Sequence, residues 1–400
     1  MTAPLHIAFV SMHTSPADLP GSGDAGGMNV VEYHQAFALA ALGHRVDLIT
    51  RRSDPAQPDV VELSDAVRLL HLPGGPAQPL AKSLIDAHIE EFSAGLAALG
   101  VRYDVLHSHH WMSGVAALPV ARAWGVPHVQ SFHSVAALPG SALSEGEPPE
   151  SPARVPGERL VATESDAVIA ISAAEARTVV ERCGADPERV VIVPPGVDRG
   201  IFHGGDGPAP GTIGVVNPRG YLLYAARLQP LKGPDLAIGA LAEVPAELRP
   251  DLLIAGDVSA DFAAYQADLH ALVAAHQLTG AVHFIGPQPR ERLAELMRGA
   301  RIVLVPSHSE TFGLIALEAE SCGTPVIASA AGGLREAVVH GETGQLMDSR
   351  QPEDWGTAIT RLLAKPARLA RMGVVAQIHA RRFNWDWTAR LLELHYRSLL

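Results

Sequence analysis

Short apolar runs alternate with longer helical stretches along the chain, and this alternation leaves few folds open. His6–Ser11, Arg45–Thr50, Val67–Leu72, Val105–Ser108, His128–Phe132, Ala167–Ile171 and Val190–Val193 read as strands. Helical stretches lie between them, among them Met28–Leu42, Ala81–Leu99, Ser113–Trp124 and Ala173–Arg182. Near-continuous apolar strands separated by helices form a parallel sheet covered on both faces. Pro194–Pro218, rich in Gly and Pro, reads as an interdomain linker. The alternation then restarts at Tyr221–Ala226 and continues through Asp251–Gly256, Val282–Gly286, Ile302–Pro306 and Val326–Ser329. Helices Pro234–Leu241, Phe262–His276, Arg290–Gly299 and Phe312–Ser321 fall among these strands. The expected class is α/β: two doubly wound parallel-sheet domains, residues 1–200 and 201–384, with a cleft between them. A terminal helix, 385–400, is expected to pack back on the first domain, and Pro139–Pro156 reads as a mobile loop.

The formal net charge is −12 and no basic tail or stripe is present, which argues against nucleic acid as a partner. An acidic protein that binds an anion must do so with a few local cations. The two cysteines, Cys183 and Cys322, have no neighbour at metal-ligand spacing, which suits a reducing, cytoplasmic compartment. The first residues, MTAPLHIAFVS, read as a buried strand rather than a signal peptide, and no apolar run is long enough for an integral membrane segment.

In open α/β sheets ligands bind beyond the carboxyl ends of the strands. The motifs lie there. Ser22–Asn29 is a Gly-rich loop between the first strand and a helix, where Gly26 lets the backbone approach an anion. Arg227 and Lys232, in ARLQPLKG, can clamp a diphosphate with a planar fork and a point charge. Glu310 and Glu318, in SETFGLIALEA, can each accept two hydrogen bonds from vicinal hydroxyls, and the amides of Phe312, Gly313 and Leu314 can hold a phosphate. His133 ends a strand. In HSHHW, His107 and His109 share a strand face and could supply two metal ligands, but no carboxylate or Cys stands at ligand spacing, so no metal site is assigned.

Together these segments resemble glycosyltransferase family 4, with its GT-B fold of two Rossmann-like domains, over nearly the whole chain. The Glu-x7-Glu pair with ARLQPLKG carries most of the likeness. SMHTSP, PGSGDAGGMNV, HSHHWMSG, AKSL and PESPAR narrow it to a branch that serves mycothiol biosynthesis. That branch moves N-acetylglucosamine from its UDP donor to 1D-myo-inositol 3-phosphate and retains the anomeric configuration. The resemblance implies donor contacts at Gly26, Arg227, Lys232, Gln288, Glu310, Phe312, Gly313, Leu314 and Glu318. It implies that His133, Glu310, Arg227 and Lys232 act on the reacting centre. It places the acceptor at His13, Asn29, Lys82, His110, Ser134 and Arg154. Two acceptor-side residues depart from the family: His110 replaces a Tyr and Ser134 a Thr. A His at that position is expected to become cationic below about pH 6.5 and to strengthen binding of an anionic acceptor.

Double displacement would need a carboxylate on the far face of the donor sugar, and none can be assigned. The family mechanism is a same-face substitution in which an oxygen of the leaving diphosphate takes the acceptor proton. This logic requires no cofactor, although related enzymes are sometimes described with a bound magnesium ion. The expected partners are a nucleotide-sugar and a small acceptor, and a homodimer is left open. Three other readings keep the architecture: a UDP-glucose or GDP-mannose transferase acting on a lipid or natural product, a non-catalytic nucleotide-sugar binder, and a UDP-N-acetylglucosamine epimerase.

Overall fold

The computed structural model describes residues 3–18, 26–137, 151–208, 217–258, 262 and 264–400. Two sheets organise it. The first contains β1 (His6–Ser11), β2 (Arg45–Arg51), β3 (Val60–Glu62), β4 (Val67–Leu72), β5 (Val105–His109), β6 (His128–Ser131), β7 (Ala167–Ala170) and β8 (Val190–Ile192). Their spatial order is β3-β4-β2-β1-β5-β6-β7-β8. All pairs are parallel except the edge pair β3/β4. The second sheet contains β9 (Tyr221–Ala225), β10 (Asp251–Ala255), β11 (Val282–Phe284), β12 (Ile302–Val305), β13 (Val326–Ser329) and β14 (Gly344–Met347). Its order is β11-β10-β9-β12-β13-β14, parallel throughout.

The strands are apolar on both faces because each sheet carries a core on each side. In β9, Tyr221, Leu223 and Ala225 enter one cluster, and Leu222 and Tyr224 enter another. In β1, Ile7 and Phe9 divide from Ala8 and Val10 in the same way. This is the period of two expected of a strand. β3 and β14 are short, and neither was recognised from the sequence.

Three segments differ from their sequence reading. Only part of Pro194–Pro218 is a connector: Val197 and Phe202 are buried in the core of the second sheet, and 209–216 lie outside the described residues. Of the stretch read as a mobile loop, 139–150 lie outside the described residues, whereas 154–156 begin the helix Arg154–Glu164. Pro156 is compatible with its first turn, where an amide has no helical partner to lose. The helix after β12 begins at Leu314, later than expected. Gly313 precedes it at φ 104°, a left-handed conformation that an ordinary residue adopts only with strain.

Helix Arg154–Glu164 packs closely on helix Trp111–Trp124. A Cβ on Gly157 would lie 2.5 Å from the buried ring of Trp111. Gly157→Ala is therefore expected to destabilise the first domain by about 1–3 kcal/mol through overpacking, read as a lowered Tm.

The chain crosses between the sheets near residue 197 and again near residue 384. The crossings touch: the Val197 amide donates to the Phe383 carbonyl at 3.2 Å, and Thr388 Oγ1 donates to the Pro194 carbonyl at 2.8 Å. Helix Trp385–Leu399 then lies on helix Gly27–Ala41 and buries Ala389, Leu392 and Tyr396 in the first domain's core. No described helix is long and apolar enough to cross a membrane.

Candidate active site

Each sheet reverses its strand order once, at β1/β5 and at β9/β12. The loops leaving those strands face one another across a cavity of about 440 Å³. Every site residue anticipated from the sequence lines this cavity except Arg154, which stands behind Ser134.

The first domain supplies the wall that holds His13, Lys82, His110, His133 and Ser134. Arg154 is 2% exposed; its Nε donates to Glu158 Oε1 at 2.8 Å and its Nη2 to Ser134 Oγ at 3.2 Å. His110 takes φ 72° at the turn into helix Trp111–Trp124 and brings its ring within 4.1 Å of the His13 ring, centroid to centroid. Neither His110 nitrogen has a hydrogen-bond partner among the described residues. Burial holds its pKa well below 6.5, and His13, Lys82 and Arg154 lower it further. The expectation of a cationic His110 from about pH 6.5 downward is thus corrected for the free protein, where burial and the neighbouring cations hold back the charged form to well below that value.

Asn29 works mainly on the loop around it. Its Oδ1 accepts from the Gly26 amide at 2.9 Å, and its Nδ2 donates to Thr14 Oγ1 and to the Ser15 carbonyl. This fixes Gly26 and Gly27 beside the second domain, with Leu314 Cδ1 3.5 Å from where a Gly27 Cβ would lie. Positions 22–25 of the Gly-rich loop lie outside the described residues.

The two histidines considered as metal ligands have different neighbours. His107 bonds Tyr396 Oη and Ser131 Oγ through its two nitrogens. His109 Nδ1 lies 2.8 Å from His133 Nε2 and 3.8 Å from Glu32 Oε1. The carboxylate that spacing failed to find comes from helix Gly27–Ala41, on the neighbouring layer.

The second domain supplies charge in pairs. Lys232 Nζ donates to Glu310 Oε1 at 2.7 Å, and Ser307 Oγ donates to the same oxygen. Arg290 Nη1 lies 3.2 Å from Glu318 Oε1, and burial raises the Glu318 carboxyl above its usual range. Gln288 folds its Nε2 onto the Ile285 carbonyl at 2.7 Å. Arg227 and Lys232 thus share the cavity with Arg290, a cation that the sequence reading missed. Its signal was its place as the first residue of a helix just after β11, the side of the sheet where ligands are expected.

Comparison with known proteins agrees with this geometry. Residues 26–196 match the family described as "Glycosyl transferase 4-like domain", and residues 213–378 match "Glycosyl transferases group 1". The D-inositol 3-phosphate glycosyltransferase of Thermomonospora curvata is 41% identical, over 99% of this chain and 96% of that one. The chain is a family 4 glycosyltransferase. The protein of the same name from Stackebrandtia nassauensis is 40% identical over 96% of this chain and 90% of that one. Among solved structures, sucrose-phosphate synthase from Thermosynechococcus elongatus superposes with a TM-score of 0.89 at 29% identity, covering 99% of both chains. Anabaena HepE, solved with UDP and glucose, shares the GT-B fold with a TM-score of 0.77 at 21% identity, covering 99% of this chain and 100% of that one.

In this glycosyltransferase the two domains touch through polar contacts that no sequence motif announced. Thr311 Oγ1 donates to the His133 carbonyl at 2.6 Å, and Ser172 Oγ donates to the Thr311 carbonyl at 2.6 Å. Glu336, from the second domain, accepts the Ala173 and Ala174 amides at 2.9 and 3.1 Å. It caps the N-terminus of a first-domain helix, where a carboxylate is favoured.

Proposed function

We propose that this glycosyltransferase moves N-acetylglucosamine from UDP-N-acetylglucosamine to 1D-myo-inositol 3-phosphate, with retention of anomeric configuration. The names of its full-length relatives support the acceptor. The observation that carries the reading is the buried Arg154, aimed at Ser134 behind the wall where Lys82, His13 and His110 gather. A buried guanidinium costs several kcal/mol to desolvate, and a compact anion in the cleft is the ligand that makes such a cluster useful. On this reading Arg227 and Lys232 take the donor diphosphate, Glu318 the ribose, and Glu310 the sugar hydroxyls.

The described carboxylates lining the cavity are Glu310 and Glu318, each already paired with a cation. That arrangement supports a same-face substitution over a covalent glycosyl intermediate. The acceptor oxygen bonds to the anomeric carbon as the bond to the diphosphate breaks, and the departing oxygen takes the acceptor proton. The enzyme's part is to position both substrates and neutralise the leaving charge. The reading asks for no metal and places the reaction in the cytoplasm. Buried, free Cys183 and Cys322, with thiols pushed up to about 12 by burial, suit that compartment.

The test is a matrix of UDP-N-acetylglucosamine, UDP-glucose and GDP-mannose against inositol 3-phosphate, inositol and lipid acceptors, with and without EDTA, read by released nucleotide. Inositol 3-phosphate should be strongly preferred to inositol. Because His13 and His110 stay neutral, the acceptor KM should be flat from about pH 8 to 7. It should rise below about pH 6, where the phosphate itself gains a proton. A KM that improves on acidification would show that the bound anion draws a proton onto the histidine pair. Equal rates with unphosphorylated acceptors would move the assignment to a natural-product or lipid transferase.

A further inference from the structure

Glu32 is fully buried, in helix Gly27–Ala41, and has no role in the reaction outlined above. No Lys or Arg contacts it among the described residues. Ser11 Oγ donates to its Oε1 at 3.1 Å, and its Oε2 has no described partner. The basic groups within reach are imidazoles. His109, also fully buried, has its Nδ1 3.8 Å from Glu32 Oε1 and 2.8 Å from His133 Nε2. The His109 and His133 rings stack with centroids 5.1 Å apart and planes 18° from parallel. His133 then lines the cavity.

His133 is the junction of the site. It sits at φ 58°, a left-handed conformation unusual for a residue with a side chain, and its carbonyl receives Thr311 from the other domain. A strained residue persists where its surroundings over-determine it. The ring is held by one hydrogen bond, to His109. Two neutral imidazoles joined by such a bond must agree on which nitrogen carries the proton. His109 therefore sets whether His133 bears hydrogen on Nε2 or on Nδ1.

We propose that Glu32, acting through His109, is a positioning residue that fixes the protonation and ring orientation of His133. This rests on the reading of the cleft as the place where the sugar is transferred. An isolated carboxylate without a cation is too costly at this depth, so the trio is held close to net neutral. It shares one proton: on the carboxyl with both imidazoles neutral, or on an imidazole beside the carboxylate. Burial raises the Glu32 carboxyl well above its usual range and lowers His109 and His133, which favours the uncharged arrangement at rest. An anion arriving beside His133 favours the other. Passage between them breaks the O–H bond of Glu32 and forms an N–H bond on the imidazole pair, with no change in the trio's total charge. The other ionisable groups facing the trio are His107 on the same strand, His13 and His110 across the wall, and Glu175 near the His133 backbone.

The experiment compares wild type with Glu32→Gln and Glu32→Asp. Glu32→Gln keeps the size of the side chain and removes its titration. It should lower kcat about tenfold, leave the donor KM within about twofold, and move the acidic limb of the kcat profile down by at least one pH unit. Glu32→Asp should restore part of kcat and the wild-type limb. Nitrogen-15 imidazole shifts of the substrate-free protein, followed across pH, give an independent readout: the wild type should show a step at both His109 and His133 as the Glu32 carboxyl titrates, and Glu32→Gln should lack it. Matching titration curves and an unchanged pH profile, with only a lowered Tm, would reduce Glu32 to a packing residue and overturn the proposal. Stoichiometric zinc binding that Glu32→Gln abolishes would also overturn it, making the trio a metal centre. Because the shifts are read without substrate, they test the trio even where the substrate assignment fails.

Discussion

Lys232→Ala is expected to lower turnover by about 100-fold, and Lys232→Ala with Glu310→Gln to recover about tenfold of that loss. The first figure follows from removing a charge-assisted donor in a closed site, an effect on the order of 3 kcal/mol. The second follows from the ion pair between Lys232 Nζ and Glu310 Oε1 at 2.7 Å. The side chains are 19% and 17% exposed, so solvent screens the pair only in part. Deleting the cation alone leaves the Glu310 carboxylate facing the departing diphosphate. Two like charges then oppose each other as the bond breaks. Glu310→Gln removes that repulsion and keeps an acceptor and a donor for sugar hydroxyls. Single-turnover kinetics of the four proteins gives the coupling as a double-mutant cycle. Strictly additive losses would mean that Lys232 and Glu310 do not act on the same developing charge.

Arg154 requires a paired variant as well, because Arg154→Ala would confuse binding with folding. The guanidinium is 2% exposed and the Glu158 carboxylate beside it equally so. Truncating one partner of a buried pair strands the other, at a cost of about 3–5 kcal/mol. Arg154→Met with Glu158→Gln removes both charges and keeps the volume. The KM for inositol 3-phosphate should rise about 100-fold, and the donor KM should stay within about twofold, since Arg227 and Lys232, the cations proposed for the donor, stand in the other domain. Arg154→Lys keeps the charge but loses the fork that reaches Ser134, so an intermediate KM is expected. An acceptor KM unchanged in the double variant, with Tm preserved, would remove Arg154 from the acceptor site.

Most strands were legible because apolar residues fall on both of their faces, as in β1 and β9, a pattern independent of partners far along the chain. His6–Ser11, Val67–Leu72 and Val326–Ser329 match the observed limits. The motifs after strands were legible because loops at switch points carry the chemistry in this architecture. Burial reached through distant contacts was not. Arg154 followed a Pro-rich stretch, and nothing local showed that its partner lay one helical turn on at Glu158 or that Trp111 would cover Gly157. Glu32 is separated from His109 by several elements, so no ligand spacing could link them. Arg290 has the same history: its partner Glu318 was noticed alone. For Glu32 and Arg290 the missing part was a tertiary contact between two polar groups, and for Arg154 it was the burial of a pair that within one helix reads as ordinary surface.

The two neighbouring crossings of the chain have a mechanical consequence. A single flexible connector would let one domain swivel about the other like a ball in a socket. Two crossings, fastened by Val197 to Phe383 and by Pro194 to Thr388, act as a door hinge with its pin between them. A domain motion about such a hinge is expected to follow one angle, so that the loops at the two switch points would meet in the same alignment at each closure. The pin has no room to thicken, for a Cβ on Gly196 would lie 2.4 Å from the Trp385 amide nitrogen.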